Sequence, residues 1–91
     1  MVYTTMRFTV ADYEKWRRVF DANDAFRRAG GAIGAPQVYR DVDNPNVITV
    51  LGEWDTAENF GKFTRDPALA EKMKEAGVMG PPSLIAVMSR A

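Results

Sequence analysis

Val47-Ile48-Thr49-Val50-Leu51-Gly52-Glu53-Trp54, running directly into Asp55-Thr56-Ala57-Glu58, is the stretch on which the fold turns. Its first part is dominated by β-branched, aliphatic and aromatic residues and predicts a strand. Asp55 followed three residues later by Glu58 is an acidic variant of the capping box. It predicts that the strand feeds a short helix with Phe60 and Phe63 on its inner side. Upstream, Asp43-Asn44-Pro45-Asn46 is dense in turn formers, and a second strand fits Ile33 to Val42. The short connection makes these two strands an antiparallel hairpin. Pro36 lacks an N–H for the ladder, so it marks the start of the second strand as an edge or a bulge.

Working outward, Val2 to Val10 has strand composition, and Asp12 can cap one long helix with Glu14 in its first turn. That helix is expected to run to Gly30 and Gly31, with Arg27 and Arg28 near its negative end. On the other side, Asp66-Pro67 ends the short helix and starts another, since proline suits a first helical position. Gly77 suits the left-handed residue after its last turn, with Val78 placed to touch Met73. Gly80-Pro81-Pro82 resets the chain as extended, and Ser83 to Arg90 reads as the last strand. The order β-α-β-β-α-β predicts an α+β, ferredoxin-like domain over residues 1–91: an antiparallel four-stranded sheet with helices on one face.

Composition narrows the chemistry. The chain has 12 Lys plus Arg against 12 Asp plus Glu, with no long run of either sign, which argues against nucleic acid and anionic membranes as partners. No apolar stretch is long enough to span a bilayer and no signal peptide is visible, so a cytoplasmic location is expected. With no histidine and no cysteine, a Ser-His-Asp relay, a cysteine nucleophile, a His-ligated haem and a His/Cys zinc site are all unavailable from this chain. We therefore expect no metal and no cofactor. Asp41, Asp43, Asn44 and Asn46 lack the central glycine and terminal glutamate of a calcium loop and read as a turn. Strand residues Val47, Thr49, Leu51 and Glu53 alternate with Ile48, Val50, Gly52 and Trp54, and Leu84, Ala86 and Met88 alternate with Ile85 and Val87. Both faces of these strands are substantially apolar, and the simplest cover for the open face is a second copy, hence a homodimer.

Candidate functional residues follow from placement. At about 100° per residue, Tyr13, Trp16, Val19, Phe20 and Phe26 share one helical face with Asn23 at its centre. Such an amide either satisfies a strand group or lines a polar cavity. Arg27, one turn on, either snorkels at the helix end or anchors an anionic ligand. Tyr3, Trp16, Trp54, Phe63, Met73 and Met79 are candidates to line a pocket for a flat small molecule, as mostly apolar sites with a few placed polar groups require. Tyr39 can donate a hydrogen bond or act as a base. Glu53 is either solvated or paired across the sheet, or, facing an apolar cavity, a general base. The glycines form no phosphate loop.

Glu53-Trp54-Asp55-Thr56-Ala57-Glu58, continuing through Phe63 and Pro67, resembles the antibiotic-biosynthesis-monooxygenase-like family of the dimeric α/β-barrel superfamily. The resemblance implies a homodimer with sheets face to face and a pocket between each sheet and its own helices. It extends to cofactor-independent monooxygenases, polyketide cyclases and haem-degrading enzymes. Many relatives carry a histidine on the short helix where this chain has Phe63, and the absence of histidine disfavours the haem branch. Asn23 and Trp54 are similar in kind to the amide and aromatic groups of cofactor-free members. The expected function is a small cofactor-independent monooxygenase or cyclase-like protein acting on a planar aromatic or polyketide-like molecule, with Asn23, Tyr39 and Glu53 as catalytic candidates. The alternative is a non-catalytic ligand-binding or assembly domain of the same fold.

Overall fold

The structure, a computed structural model, describes residues 1–91. Its elements are β1 (Val2–Val10), α1 (Tyr13–Ala22), α2 (Asp24–Gly30), β2 (Ala32–Arg40), β3 (Val47–Trp54), α3 (Ala57–Arg65), α4 (Pro67–Glu75) and β4 (Val78–Met88). The strands form one four-stranded sheet in the order β2-β3-β1-β4, with every neighbouring pair antiparallel. This is the ferredoxin-like arrangement expected from the sequence. The stretch Val47–Trp54 forms β3 with the expected limits. Pro36 lies in β2, which is an edge strand and whose register with β3 shifts between Ile33 and Gln37. Gly77 takes the left-handed conformation (φ 84°) that closes α4.

The long helix is in fact two. Asn23 leaves helical geometry (φ −103°, ψ 20°), and its side-chain Nδ2 donates to the Val19 carbonyl at 2.8 Å. A short amide reaching back one turn competes with the backbone ladder, and a new helix begins at Asp24. The cap of α3 also differs from the capping-box expectation. Thr56 is the cap, its hydroxyl accepting from the Asn59 N–H at 3.0 Å, while Asp55 accepts from Thr56 N–H and Asn59 Nδ2. Glu58 instead pairs with Lys62. The last strand starts earlier than expected, at Val78, because Gly80-Pro81-Pro82 is absorbed as a bulge where the pairing with β1 jumps between Thr9–Met79 and Arg7–Leu84. An edge strand tolerates those prolines, and the bulge blunts that edge against further pairing.

The pleat sorts the sheet into two faces. Phe8, Val10, Ile48 and Trp54 lie on the helix-covered face and are buried. Phe8, Val10, Trp16, Ile48 and Ala76 form one core cluster; Trp54, Phe60 and Phe63 form a second. The opposite, open face carries Tyr3, Thr5, Arg7 and Thr9 from β1, paired with Glu53, Leu51, Thr49 and Val47 from β3. Leu84, Ala86 and Met88 continue it on β4. Arg7 donates to Asp41 at 2.8 Å and to the Thr49 hydroxyl at 3.3 Å across this face. The open face is thus more mixed than β3 and β4 alone predict, with its apolar part concentrated on β4, where Met79, Leu84 and Met88 are all more than two-fifths exposed.

Candidate functional site

Between the helix-covered face of the sheet and the four helices lies a cavity of about 110 Å³. Thr4, Met6 and Phe8 of β1 and Val50, Gly52 and Trp54 of β3 form its floor. These are alternate residues of two paired strands, and that is why they converge: the side-chain period of two brings them to one face. Trp16, Phe20, Phe26, Phe63 and Met73 form the walls, and Ile33, Gly34 and Pro36 in the irregular part of β2 border it at the sheet edge.

Aromatic packing holds the floor rigid. The Trp54 ring lies 4.7 Å from Phe63 and 5.3 Å from Phe60, edge-on to the latter. Gly30 lets the chain pass beside it, since a methyl group there would stand 3.3 Å from the indole. Trp16 stacks on Phe20 at 4.8 Å on the α1 side. The walls therefore present flat aromatic faces to the cavity.

Polar groups are few. Thr4 and Trp54 are each only 4% exposed. No protein group bonds the Thr4 hydroxyl or the Trp54 indole N–H, and no polar side-chain atom of the protein is both sealed off and unpartnered, so both groups address the cavity. Gly52 sits between them: a methyl group built on it would stand 3.2 Å from Thr4 Oγ1 and 3.8 Å from Trp54 Nε1. The missing side chain leaves a notch bordered by a hydroxyl and an N–H. Asn23 borders the same cavity. One of its amide hydrogens is taken by Val19, leaving one donor and the Oδ1 acceptor.

The candidates named from the sequence divide by face. Asn23, Trp16, Arg27, Trp54, Phe63 and Met73 all line the cavity. Tyr3, Tyr39 and Met79 do not: their pairing with Glu53, Thr49 and Thr9 puts them on the open face. The Tyr39 hydroxyl donates to Gln37 Oε1 at 2.9 Å, and Arg90 sits over the Tyr3 ring at 5.6 Å. Glu53 borders the cavity, but the pleat sends its side chain to the face opposite Gly52 and Trp54. Asn23 and Tyr39 thus cannot act on one ligand atom within a single chain, because the sheet stands between them. Residue-by-residue reading missed Thr4, Gly52 and Lys72. A usable signal existed for Gly52, since a glycine inside an otherwise ideal strand often marks a close approach. Thr4 shares its parity with Met6, Phe8 and Val10, which places it on the buried face.

No protein-family model matches the chain, and no curated protein matches it. Solved structures do. A candidate antibiotic biosynthesis monooxygenase of Bordetella bronchiseptica superposes with a TM-score of 0.75 at 18% identity, over 99% of this chain and 96% of that one. The fold is that of the antibiotic biosynthesis monooxygenases of known structure. SnoaB, a cofactor-independent oxygenase from Streptomyces nogalater, matches with a TM-score of 0.73 at 18% identity, covering 99% of this chain and 92% of its own. A candidate antibiotic biosynthesis monooxygenase of Nitrosomonas europaea gives 0.67 at 10% identity, over 99% and 98% of the two chains. At these identities the likeness concerns the fold. No helix of the structure is long and apolar enough to cross a membrane.

Proposed function

We propose that the chain is a small homodimeric protein of the cofactor-independent monooxygenase or cyclase type, acting in the cytoplasm on a planar aromatic or polyketide-like molecule held between its sheet and helices. The observation that supports this reading is the notch over Gly52, where Thr4 Oγ1 and Trp54 Nε1 lie 3.2 and 3.8 Å from the place a side chain would fill in a mostly apolar cavity. Preorganised donors in a dry site stabilise an oxygen that gains negative charge. SnoaB, which shares the fold, is a cofactor-independent oxygenase and supports the oxygenase form of the reading.

In that form the substrate enters as an enolate or phenolate with its oxygen in the notch. Its electron-rich carbon reduces O₂ and forms a C–O bond, and the peroxide takes up a proton. Loss of water then turns a CH₂ into C=O, one oxygen atom being retained and the other leaving as water. In the cyclase form the same donors hold an enolate oxygen while its carbon attacks a carbonyl, and the aromatic walls fold the chain for closure. The second copy covers the open sheet face, where the apolar side chains of β4 are exposed.

A second reading, a ligand-binding domain without turnover, is favoured by one observation: Tyr39 and Glu53, the candidate bases, point away from the cavity. Oxygen consumption and calorimetry with a panel of quinols, anthrones and polyketide mimics separate the two. Under the enzymatic reading, Trp54→Phe keeps the ring but lowers turnover on the order of 10²-fold, as loss of one oxyanion donor does elsewhere. Binding with no consumption or rearrangement of any compound selects the second reading. No binding across the panel overturns both.

A further inference from the structure

Two cations face the same cavity from different helices; Arg27 shares the Asp24 carboxylate with Arg28, and Lys72 has no ion-pair partner. Arg27 of α2 has a side chain only 14% exposed, and its guanidinium lies 3.8 Å over the Phe20 ring and donates to the Phe20 carbonyl at 2.7 Å. Its nearest carboxylate, Asp24, is 3.5 Å away and makes its shorter contact, 2.8 Å, with Arg28. Burial pushes the Arg27 pKa down, against the pull of Asp24 and Asp21. Lys72 of α4 holds its Nζ 4.8 Å over the Phe26 ring and makes none of the ion pairs of the molecule. Both residues line the cavity; the only other charged residues that border it are Asp24, whose two carboxylate oxygens are divided between Arg28 and Arg27, and Glu53, whose side chain is on the other face.

We propose that the cavity selects an anionic aromatic ligand, whose carboxylate or other acidic group is held by Arg27 and Lys72 while its ring system lies against Trp16, Trp54 and Phe63. This rests on the cavity being the ligand site. It adds that charge, beyond flatness, decides which molecule binds. A guanidinium and an ammonium resting on aromatic faces, with a single shared carboxylate between them, favour a compact anion that enters with an apolar body. A large hydrated polyanion fits neither the apolar walls nor the volume.

Isothermal titration calorimetry with 2-naphthoate and its uncharged isostere 2-naphthamide tests the assignment, because the two probes share a ring system and differ in charge. The intact protein should bind naphthoate about tenfold or more tightly than naphthamide, as one charge-assisted contact implies. Lys72→Gln and Arg27→Gln should each remove most of that preference and leave naphthamide affinity unchanged. Lys62→Gln, at an exposed position of α3 paired with Glu58, should alter neither. Lys72→Gln alone suffices if Arg27→Gln fails to fold. Equal affinity for the two probes, or parallel loss of both in the variants, overturns the anion assignment and leaves the aromatic cavity standing. Failure of both probes to bind overturns the cavity as the ligand site, and the charge assignment with it.

Discussion

The two faces of one sheet, a single strand thick, have become different materials. On the helix side Ile48 is 0% and Val10 1% exposed, and the few polar groups are placed singly among aromatic rings. On the open side a bidentate Arg7–Asp41 pair, threonines and tyrosines mix with the exposed aliphatic and methionine side chains of β4. The same strands supply both, and adjacent residues such as Glu53 and Trp54 belong to different surfaces. A residue's chemistry here is decided by its parity in the strand before its type matters. The helix face holds the core and the cavity, and the open face leaves the apolar residues of β4 exposed, where the proposed second copy would sit.

The strongest way to break that contrast is to truncate one aliphatic residue on each face. Ile48→Ala should cost about 2–5 kcal/mol, since the wall around a fully enclosed side chain collapses only in part. Leu84→Ala, 46% exposed, should cost well under half as much in the isolated chain. Denaturant midpoints of the two variants at low protein concentration check the difference; similar losses would mean that the open face is as closed as the core. Leu84→Arg asks what covers that face. Sedimentation of the unaltered protein should give about twice 10.2 kDa, and the substitution should return the mass to that of one chain while the fold persists by circular dichroism. A unaltered chain that sediments as a monomer refutes the homodimer.

Smaller effects sharpen the reading of the helix side. Asn23→Leu removes a local amide bond to Val19 from a half-buried position, so stability should fall by about 1 kcal/mol or less. If Asn23 also serves the ligand, binding by the same variant should weaken. A larger stability loss with unchanged affinity assigns Asn23 to the helix break alone. The smallest effect concerns acid. The hydrogen bond from Arg28, with the charge of Arg27 adding to it, holds the Asp24 carboxyl below the usual carboxylate range. A lowered native pKa contributes stability above the unfolded value of about 4 that disappears as pH falls through the native value. Asp24→Asn should therefore flatten the stability-against-pH curve below about pH 4 and leave its shape near neutrality unchanged; an identical acid limb in both proteins would show that the exposed Asp24 contributes nothing measurable.

Several features were legible because their causes are local. The β3 strand, the turn at 43–46, the Pro67 start and the Gly77 stop depend on residues within a few positions of one another. The expectations that shifted were contests between local signals. Asp55 and Thr56 both offer a cap and Thr56 wins, with Asp55 bracing it; Asn23 can continue a helix or bond back to Val19, and does the latter. Pro81 and Pro82 looked like a reset before a strand, yet the pairing of β1 with β4 resumes on both sides of them, so they became a bulge within it.

By itself the sequence determined the order of the strands, the pairing of β2 with β3, the lack of any imidazole or thiol chemistry, and a surplus of aromatic residues. Tertiary structure alone decided which of those residues meet. Thr4 faces Gly52 because β1 and β3 pair in one particular register, and a slip of one residue would exchange Trp54 for Glu53 in the cavity. Arg27 and Lys72 border one cavity only because α2 and α4, far apart in the chain, both lie over the same face of the sheet. Such meetings depend on long-range pairing and on the period of two along each strand, and composition and local propensity carry no record of either.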